Sequence, residues 1–540
     1  METIETQNVK IEQKKIFING NNLRTSDIVF VIKNNLKIAI TEATEHQIEK
    51  SHQLLTQLID DNKIIYGVNT SVGGFVNWLI PKEKAQELQE NLISAVATNV
   101  GPYFDTNVVK ASMIARLNSL ARGASGISVE NYNKLLDIYN AGIVPCVPSK
   151  GSLGASGDLG PLACIALVGT GKWKAEYKGK ILSGKEALDK AGIKPMRLSY
   201  KEGLSLVNGT STMVGLASLL VEEAINLVKT YDIISCLTFE SLMVKKKPFS
   251  PVVHKHKPHP GQLTTSKNFW RILEDSKMIV DEAAVEKELQ KQQNPIPTSS
   301  NFSIEDAYSI RCTPHILGPI RDSLKSIQLT IENELNSSND NPLILPEEND
   351  VFHNGHFHGQ YISMAMDHLS IALTTLSNLS DRRIDRFMDT KHSNNLPPFL
   401  CLENPGLRLG LMGGQFMATS LTAENRSLCH PVSIQTLTST GDFQDIVSLG
   451  LVAARRARDI LTNANYVVAF EYICGAQAAE IRDKDLLSQG TRKAFDQIRE
   501  IIPYLSSDEP LTDYIENVAS YINSGSLLHE VEKVIGQVDL

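Results

Sequence analysis

The chain has 540 residues, a formal net charge of -8 and ordinary apolar (42%) and charged (21%) fractions. This is the balance of a globular protein able to bury a sizeable core, and the length suggests two to four structural units. With no basic arm and no Lys/Arg stripe interleaved with aromatics, a nucleic-acid groove is disfavoured. The N-terminus, METIETQNVKIEQKK, lacks the apolar core of a signal peptide. The longest greasy stretches, such as Met213 to Val221 and Leu162 to Val168, read as too short to span a bilayer. Seven cysteines (146, 164, 236, 312, 401, 429 and 474) stand singly with no CxxC pair. They fit a reducing cytosol, and the expected location is cytoplasmic.

In chain order, residues 1–20 read as a tail, 21–205 as an N-terminal domain, 206–480 as a central helical bundle and 481–540 as a C-terminal helical region. Short strands are expected at Lys15 to Asn19, Leu36 to Thr41, Trp173 to Lys178 and Lys180 to Leu182. From Glu42 onward the pattern is mostly helical. Ile320, Leu324, Ile327, Ile331 and Leu335 fall on one helical face, and 210–245, 359–390, 446–482 and 490–502 carry similar patterns. The polar, proline-containing stretch from Val285 to Asn301 reads as an exposed loop between helices, either a lid or a plain surface connection. The expected fold is mainly α, a long central helical bundle with a mixed α/β N-terminal part.

The most informative segment is Gly151-Ser-Leu-Gly-Ala-Ser-Gly-Asp-Leu-Gly160. Its glycines match neither the dinucleotide nor the Walker pattern, so no nucleotide cofactor is expected. A glycine-rich turn is one reading. The sharper one is chemical: in Ala155-Ser156-Gly157 the glycine amide can attack the alanine carbonyl, because glycine permits the tight backbone approach. Loss of water closes an imidazolone, and dehydration of the serine yields 4-methylidene-imidazol-5-one (MIO), an electrophile no ordinary side chain supplies.

This segment resembles the signature of the histidine, phenylalanine and tyrosine ammonia-lyases and the related aminomutases, the MIO-dependent family. Tyr66-Gly-Val-Asn-Thr70, Leu206-Val-Asn-Gly-Thr210, Tyr308-Ser-Ile-Arg-Cys312, Asn336-Ser-Ser-Asn-Asp-Asn-Pro342, Phe357-His-Gly359 and Gln444-Asp-Ile-Val-Ser448 resemble further family segments in the same order, over roughly residues 20 to 520. The resemblance implies an aromatic ammonia-lyase-like (L-aspartase-like) fold and a self-made MIO group. It also implies a small-molecule amino-acid substrate and a homotetramer whose sites borrow residues from three subunits. No metal, nucleic acid or membrane partner is expected.

An isolated tyrosine before a turn is commonly a packing residue; the resemblance makes Tyr66 the base for the substrate's β-proton. A phenol of pKa ~10 would then need charged or dipolar neighbours that tune it down. Arg311 reads either as a surface ion-pair partner or, by resemblance, as the carboxylate clamp suited to its planar fork. Tyr308 would share a helical face with it. Asn208 and Asn341 suit turns, and the resemblance puts the first beside MIO and the second near the substrate carboxylate. Gln444, Glu424 and Phe357 match positions lining the site. The histidines at 353, 356 and 358 and at 254, 256 and 259 invite a metal reading, but no carboxylates at ligand spacing accompany them.

Several departures point to a subgroup. The tyrosine motif runs Asn69-Thr70-Ser71, then Val-Gly-Gly-Phe75, and Phe443 replaces the usual Asn before Gln444. In the segment from Asn91, the positions where tyrosine and histidine ammonia-lyases place a histidine hold Ala95 and Val96. Neither can hydrogen-bond a phenol or imidazole, so an unsubstituted phenyl ring is favoured, with Leu204 and Val207 as neighbours; simple helix packing is the competing reading. These features look like bacterial phenylalanine 2,3-aminomutases and almost as much like a small set of bacterial phenylalanine ammonia-lyases, except that Ala155 stands where that subgroup has threonine. The implied activity converts L-phenylalanine to β-phenylalanine through trans-cinnamate. The alternatives are a lyase that releases cinnamate and ammonia, or a catalytically silent binding relative. A fumarase-like lyase would need a GSSxMPxKxN-type loop, which is missing.

Overall fold

The computed structural model describes residues 11–12, 15–297, 299 and 303–540; most of the expected tail and part of the 285–301 stretch lie outside them. The chain is mainly helical and forms two compact units interleaved in sequence. The first takes residues up to Glu222 with 327–367 and 431–456; the second takes 223–326, 368–430 and 457–540.

In the first unit, Lys15–Phe17 and Lys37–Ala39 pair in parallel around the helix Thr25–Lys33, each burying one isoleucine, Ile16 and Ile38. The Asn140 side chain completes that edge, accepting from the Ile38 N–H at 2.8 Å and donating to its carbonyl at 2.9 Å. Lys174–Tyr177 and Lys180–Ser183 form the expected hairpin. Helix Glu42–Asp60, capped by Thr41, buries Leu54, Leu55, Leu58 and Ile59 in one cluster with Ile65, Val68, Ile344 and Val351. Ile344 and Val351 come from a hairpin, Leu343–Leu345 with Asp350–Phe352, that sequence periodicity did not reveal because each strand has three residues. This cluster fixes the turn that carries Tyr66.

The second unit is built on helices laid over buried charge. Glu471 of helix Gly450–Arg482 pairs with Arg383 at 3.0 Å, both inaccessible to solvent. It also accepts from Tyr231 (3.0 Å), Thr238 (2.9 Å) and Ser380 (2.6 Å). Such a pair holds only because its remaining lone pairs are hydrogen-bonded.

Two expectations change. Val285 to Lys291 is helical, within Glu282–Lys291. Asp281 caps the Ala283 N–H at 3.0 Å, the helix formers Glu, Lys, Leu and Gln follow, and the prolines stand beyond the helix end. The helix Ser211–Ser241 is long and apolar enough to cross a membrane by length and composition, so greasy length alone does not exclude a span. However, 72% of its most apolar window is buried inside the protein, and it carries Asp232 and Glu240, both inaccessible, as a core helix does. Replacing Glu471 with Ala strands Arg383 without a counter-charge. It is expected to cost about 3–5 kcal/mol, measured as a lowered midpoint of chemical denaturation.

Candidate active site

Tyr66 is half-buried between two residues of the apolar cluster, Ile65 and Val68. Asn69 closes the turn, accepting from the Ile65 N–H at 2.7 Å and donating to the Lys63 carbonyl at 2.7 Å. Gly67 has φ +68°, and a Cβ there would lie 2.5 Å from Leu204 Cδ2, so Leu204 packs directly beneath the tyrosine turn. The Tyr66 main-chain N–H donates to Nε2 of His353 at 3.1 Å, and its hydroxyl accepts from the Gly73 N–H at 2.9 Å. Burial raises the phenol's pKa above its ordinary value, opposed only by the Gly73 N–H. The dipolar neighbour expected from the sequence is present, yet desolvation outweighs it and the net shift is upward rather than downward.

Ala155 is buried and Ser156 half-buried in a loop that a glycine pair holds in place. The Gly209 N–H donates to the Ser156 carbonyl at 3.2 Å, and the Asp158 N–H donates to the Gly209 carbonyl at 2.8 Å. Gly157, at φ +67°, approaches so closely that a Cβ would stand 2.0 Å from the Gly209 oxygen. Gly209 is equally crowded, since a Cβ there would lie 2.4 Å from Asn339 Oδ1 and 2.5 Å from Arg116 Nη1. The Gln444–Ser448 motif supplies the other wall. Gln444 Nε2 donates to Ser156 Oγ at 3.2 Å, and Ser448 Oγ donates to the Gly154 carbonyl at 3.0 Å.

Asn208, at the end of helix Glu202–Val207, donates to Asp340 Oδ1 at 2.9 Å and to the Asn341 carbonyl at 3.3 Å. Asp340 pairs with Lys201, and both side chains are wholly inaccessible. The Asn341 side-chain oxygen accepts from the Asn354 N–H at 2.7 Å. Beneath them lies Arg116, whose pKa burial lowers to about 10; it donates to Asn339 at 3.1 Å and to the Ser205 carbonyl. Tyr66, the triad, Asn208, Asn341, Leu204 and Gln444 thus belong to one unit. Val207 is wholly buried, Val96 and Phe357 are half-buried, and Ala95 and Phe443 are exposed.

Arg311, Tyr308 and Glu424 belong to the second unit. Helix Tyr308–Arg311 puts the guanidinium 4.9 Å from the Tyr308 ring centroid, the shared face the spacing predicts, and Arg311 pairs with Glu305 at 2.8 Å. Glu424 is exposed on helix Met412–Leu428. Among the described residues, no three His, Cys, Asp or Glu side chains gather to hold a metal. Two of these histidines hold local structure: His254 bonds the Pro248 carbonyl and Gln262, each at 2.9 Å, and His356 reaches the Ser338 carbonyl at 3.2 Å.

The sequence pattern of the family described as "Aromatic amino acid lyase" matches residues 23–500. The chain belongs to that family. It is 55% identical to the solved Pantoea agglomerans phenylalanine aminomutase, over 95% of this chain and 99% of that one, with a TM-score of 0.92. The tyrosine aminomutase of Streptomyces globisporus is 35% identical over 97% and 99%, at a TM-score of 0.93. A histidine ammonia-lyase of Natranaerobius thermophilus is 39% identical over 97% of this chain and all of its own length. The mainly helical fold expected from the resemblance is the one observed.

MIO is characteristic of aromatic amino acid lyases, and the residues here fit it. Gly157 adopts a left-handed φ that favours glycine, in a space with no room for a Cβ, directly after the serine whose dehydration would supply the methylidene. Asp158, which the sequence reading did not single out, anchors the loop. Its carboxylate accepts from Ser152 Oγ at 2.9 Å and from the Met213 N–H at 2.7 Å, in the first turn of helix Ser211–Ser241, where a helix dipole favours an anion. Desolvation nevertheless pushes its pKa up to about 7.

Gly157→Ala is expected to lower the thermal midpoint, losing more than about 1 kcal/mol, because neither the φ nor the space admits a Cβ. For Asp158 the folded pKa lies above the ordinary 3.8. Between these two values the folded state holds a proton that the unfolded chain has released, so its contribution is complete below about pH 4 and is lost as pH rises towards 7. Asp158→Asn should remove this share of the slope in stability measured against pH.

Proposed function

We propose that this aromatic amino acid lyase is an MIO-dependent phenylalanine 2,3-aminomutase of the cytoplasm, working as a homotetramer. It would convert L-phenylalanine to β-phenylalanine through trans-cinnamate, with some loss of cinnamate and ammonia. The observation that carries this reading is the 55% identity, over nearly the full length of both chains, to a phenylalanine aminomutase. The apolar Ala95 and Val96 support it, since they offer a phenol or imidazole no hydrogen-bond partner.

Ala155, Ser156 and Gly157 would hold the MIO group, which supplies an electrophilic carbon for the substrate's amine. Tyr66 takes the β-proton, Arg311 pairs with the substrate carboxylate, and Asn208, Asn341 and Gln444 orient polar groups around the triad. The Glu305 carboxylate on Arg311 illustrates the pairing that the substrate's carboxylate would make. In the mutase outcome the amine returns at the β-carbon before cinnamate leaves. The second reading is an ammonia-lyase, favoured by curated relatives that are mostly named histidine ammonia-lyases.

Chiral analysis of products from L-phenylalanine tests the choice. Early β-phenylalanine in excess of free cinnamate is expected; cinnamate and ammonia in equal amounts would replace the mutase with the lyase. Ser156→Ala should abolish turnover, and Tyr66→Phe should lower kcat by about 10²–10⁴-fold. Ala95→His should raise acceptance of tyrosine. Glu305→Gln, by freeing Arg311 from an exposed ion pair, should lower KM for L-phenylalanine by about two- to fivefold.

A further inference from the structure

His353 begins the His-Asn-Gly-His-Phe-His-Gly motif and belongs to no cluster of three His, Cys, Asp or Glu side chains among the described residues. It follows the hairpin strand Asp350–Phe352, whose Val351 packs in the same apolar cluster as Ile65 and Val68 on either side of Tyr66. Above that cluster the two segments are clasped twice by polar contacts. Lys63 pairs with Asp350, and the Tyr66 main-chain N–H donates to His353 Nε2 at 3.1 Å. The tyrosine is therefore held at both ends, its backbone nitrogen by His353 and its hydroxyl by the Gly73 N–H.

An imidazole that accepts through Nε2 carries its proton on Nδ1 and is neutral; once protonated, both nitrogens donate and neither can accept. We propose that His353 is a positioning residue for Tyr66, whose neutral ring fixes the tyrosine's main chain and whose protonation releases it. The assignment rests on the reading of Tyr66 as the base. The charged groups facing the ring come from both elements packed around it. Asp350 lies on the histidine's own hairpin, and Lys63, on the tyrosine's segment, pairs with it. A displacement of about 1 Å in a reacting group is enough to lower a rate substantially, so a lost backbone anchor acts on kcat before it acts on binding.

The test compares the wild-type protein with His353→Gln, which keeps an acceptor that does not titrate, and His353→Leu, which removes the acceptor and keeps bulk. Three quantities are measured: kcat and KM for L-phenylalanine against pH, the thermal midpoint, and hydrogen–deuterium exchange of the peptide spanning residues 64–70 at one fixed pH. His353→Leu should lower kcat on the alkaline plateau by about three- to tenfold, with KM and midpoint nearly unchanged and faster exchange in that peptide. His353→Gln should restore the plateau and the exchange protection while weakening the acid limb of the kcat profile. Wild-type kcat and exchange in the leucine variant, or an unaltered acid limb in the glutamine variant, would overturn the assignment. If the wild-type protein does not turn over L-phenylalanine, the proposed function fails separately. The exchange comparison then decides the anchor alone, and equal protection in the leucine variant rejects it.

Discussion

The whole site hangs on the contact of Gly157 with Gly209. Two main chains meet at a separation that leaves no volume for a Cβ on either side, and the N–H and C=O of Gly209 are both used in joining the triad loop. That contact ties the start of helix Leu159–Gly169 to the start of helix Ser211–Ser241. Asp158 strengthens the junction by bonding across it to Met213. The loop before the triad, with Ser448 on Gly154, and the asparagines beyond Gly209 take their positions from it.

Behind the contact the protein places charge where water cannot reach. Lys201 and Asp340 are buried as a pair, with Asn208 on the free carboxylate oxygen and Ser205 and the Ser125 carbonyl on the ammonium. Arg116 lies close by, its charge disfavoured by burial and supported by Asp340. The second unit repeats the device with Arg383 and Glu471, and with Arg321 and Asp232. Removing one member of such a pair is far more damaging than its net contribution suggests, because the other is left charged without water. These pairs therefore specify one arrangement of the helices, in addition to whatever stability they contribute.

The Tyr66 turn shows two opposing influences within one residue. Apolar packing of Ile65 and Val68 holds it firmly but dries the phenol, and a single N–H dipole from Gly73 does not compensate. Rigidity and acidity draw on the same burial, so a gain in one costs the other.

Much was legible in the sequence because it is local. The 3.6-residue spacing from Ile320 to Leu335 became a buried helix face, and the Lys-Gly turn after Tyr177 closed a hairpin. The glycine-rich signature drew attention to Ala155-Ser156-Gly157 before any coordinates, because glycine's lack of a Cβ is a property of the residue itself. The shared helical face of Tyr308 and Arg311 likewise followed from three-residue spacing. What tertiary structure alone decided are contacts between residues far apart in the chain. Examples are Gly209 against Gly157, Asp340 on Lys201, Gln444 on Ser156, and His353 on the Tyr66 backbone. The three-residue strands that precede His353 are too short for a periodic signal. The balance between desolvation and dipole at Tyr66 depends on how closely distant segments pack, which no local pattern encodes.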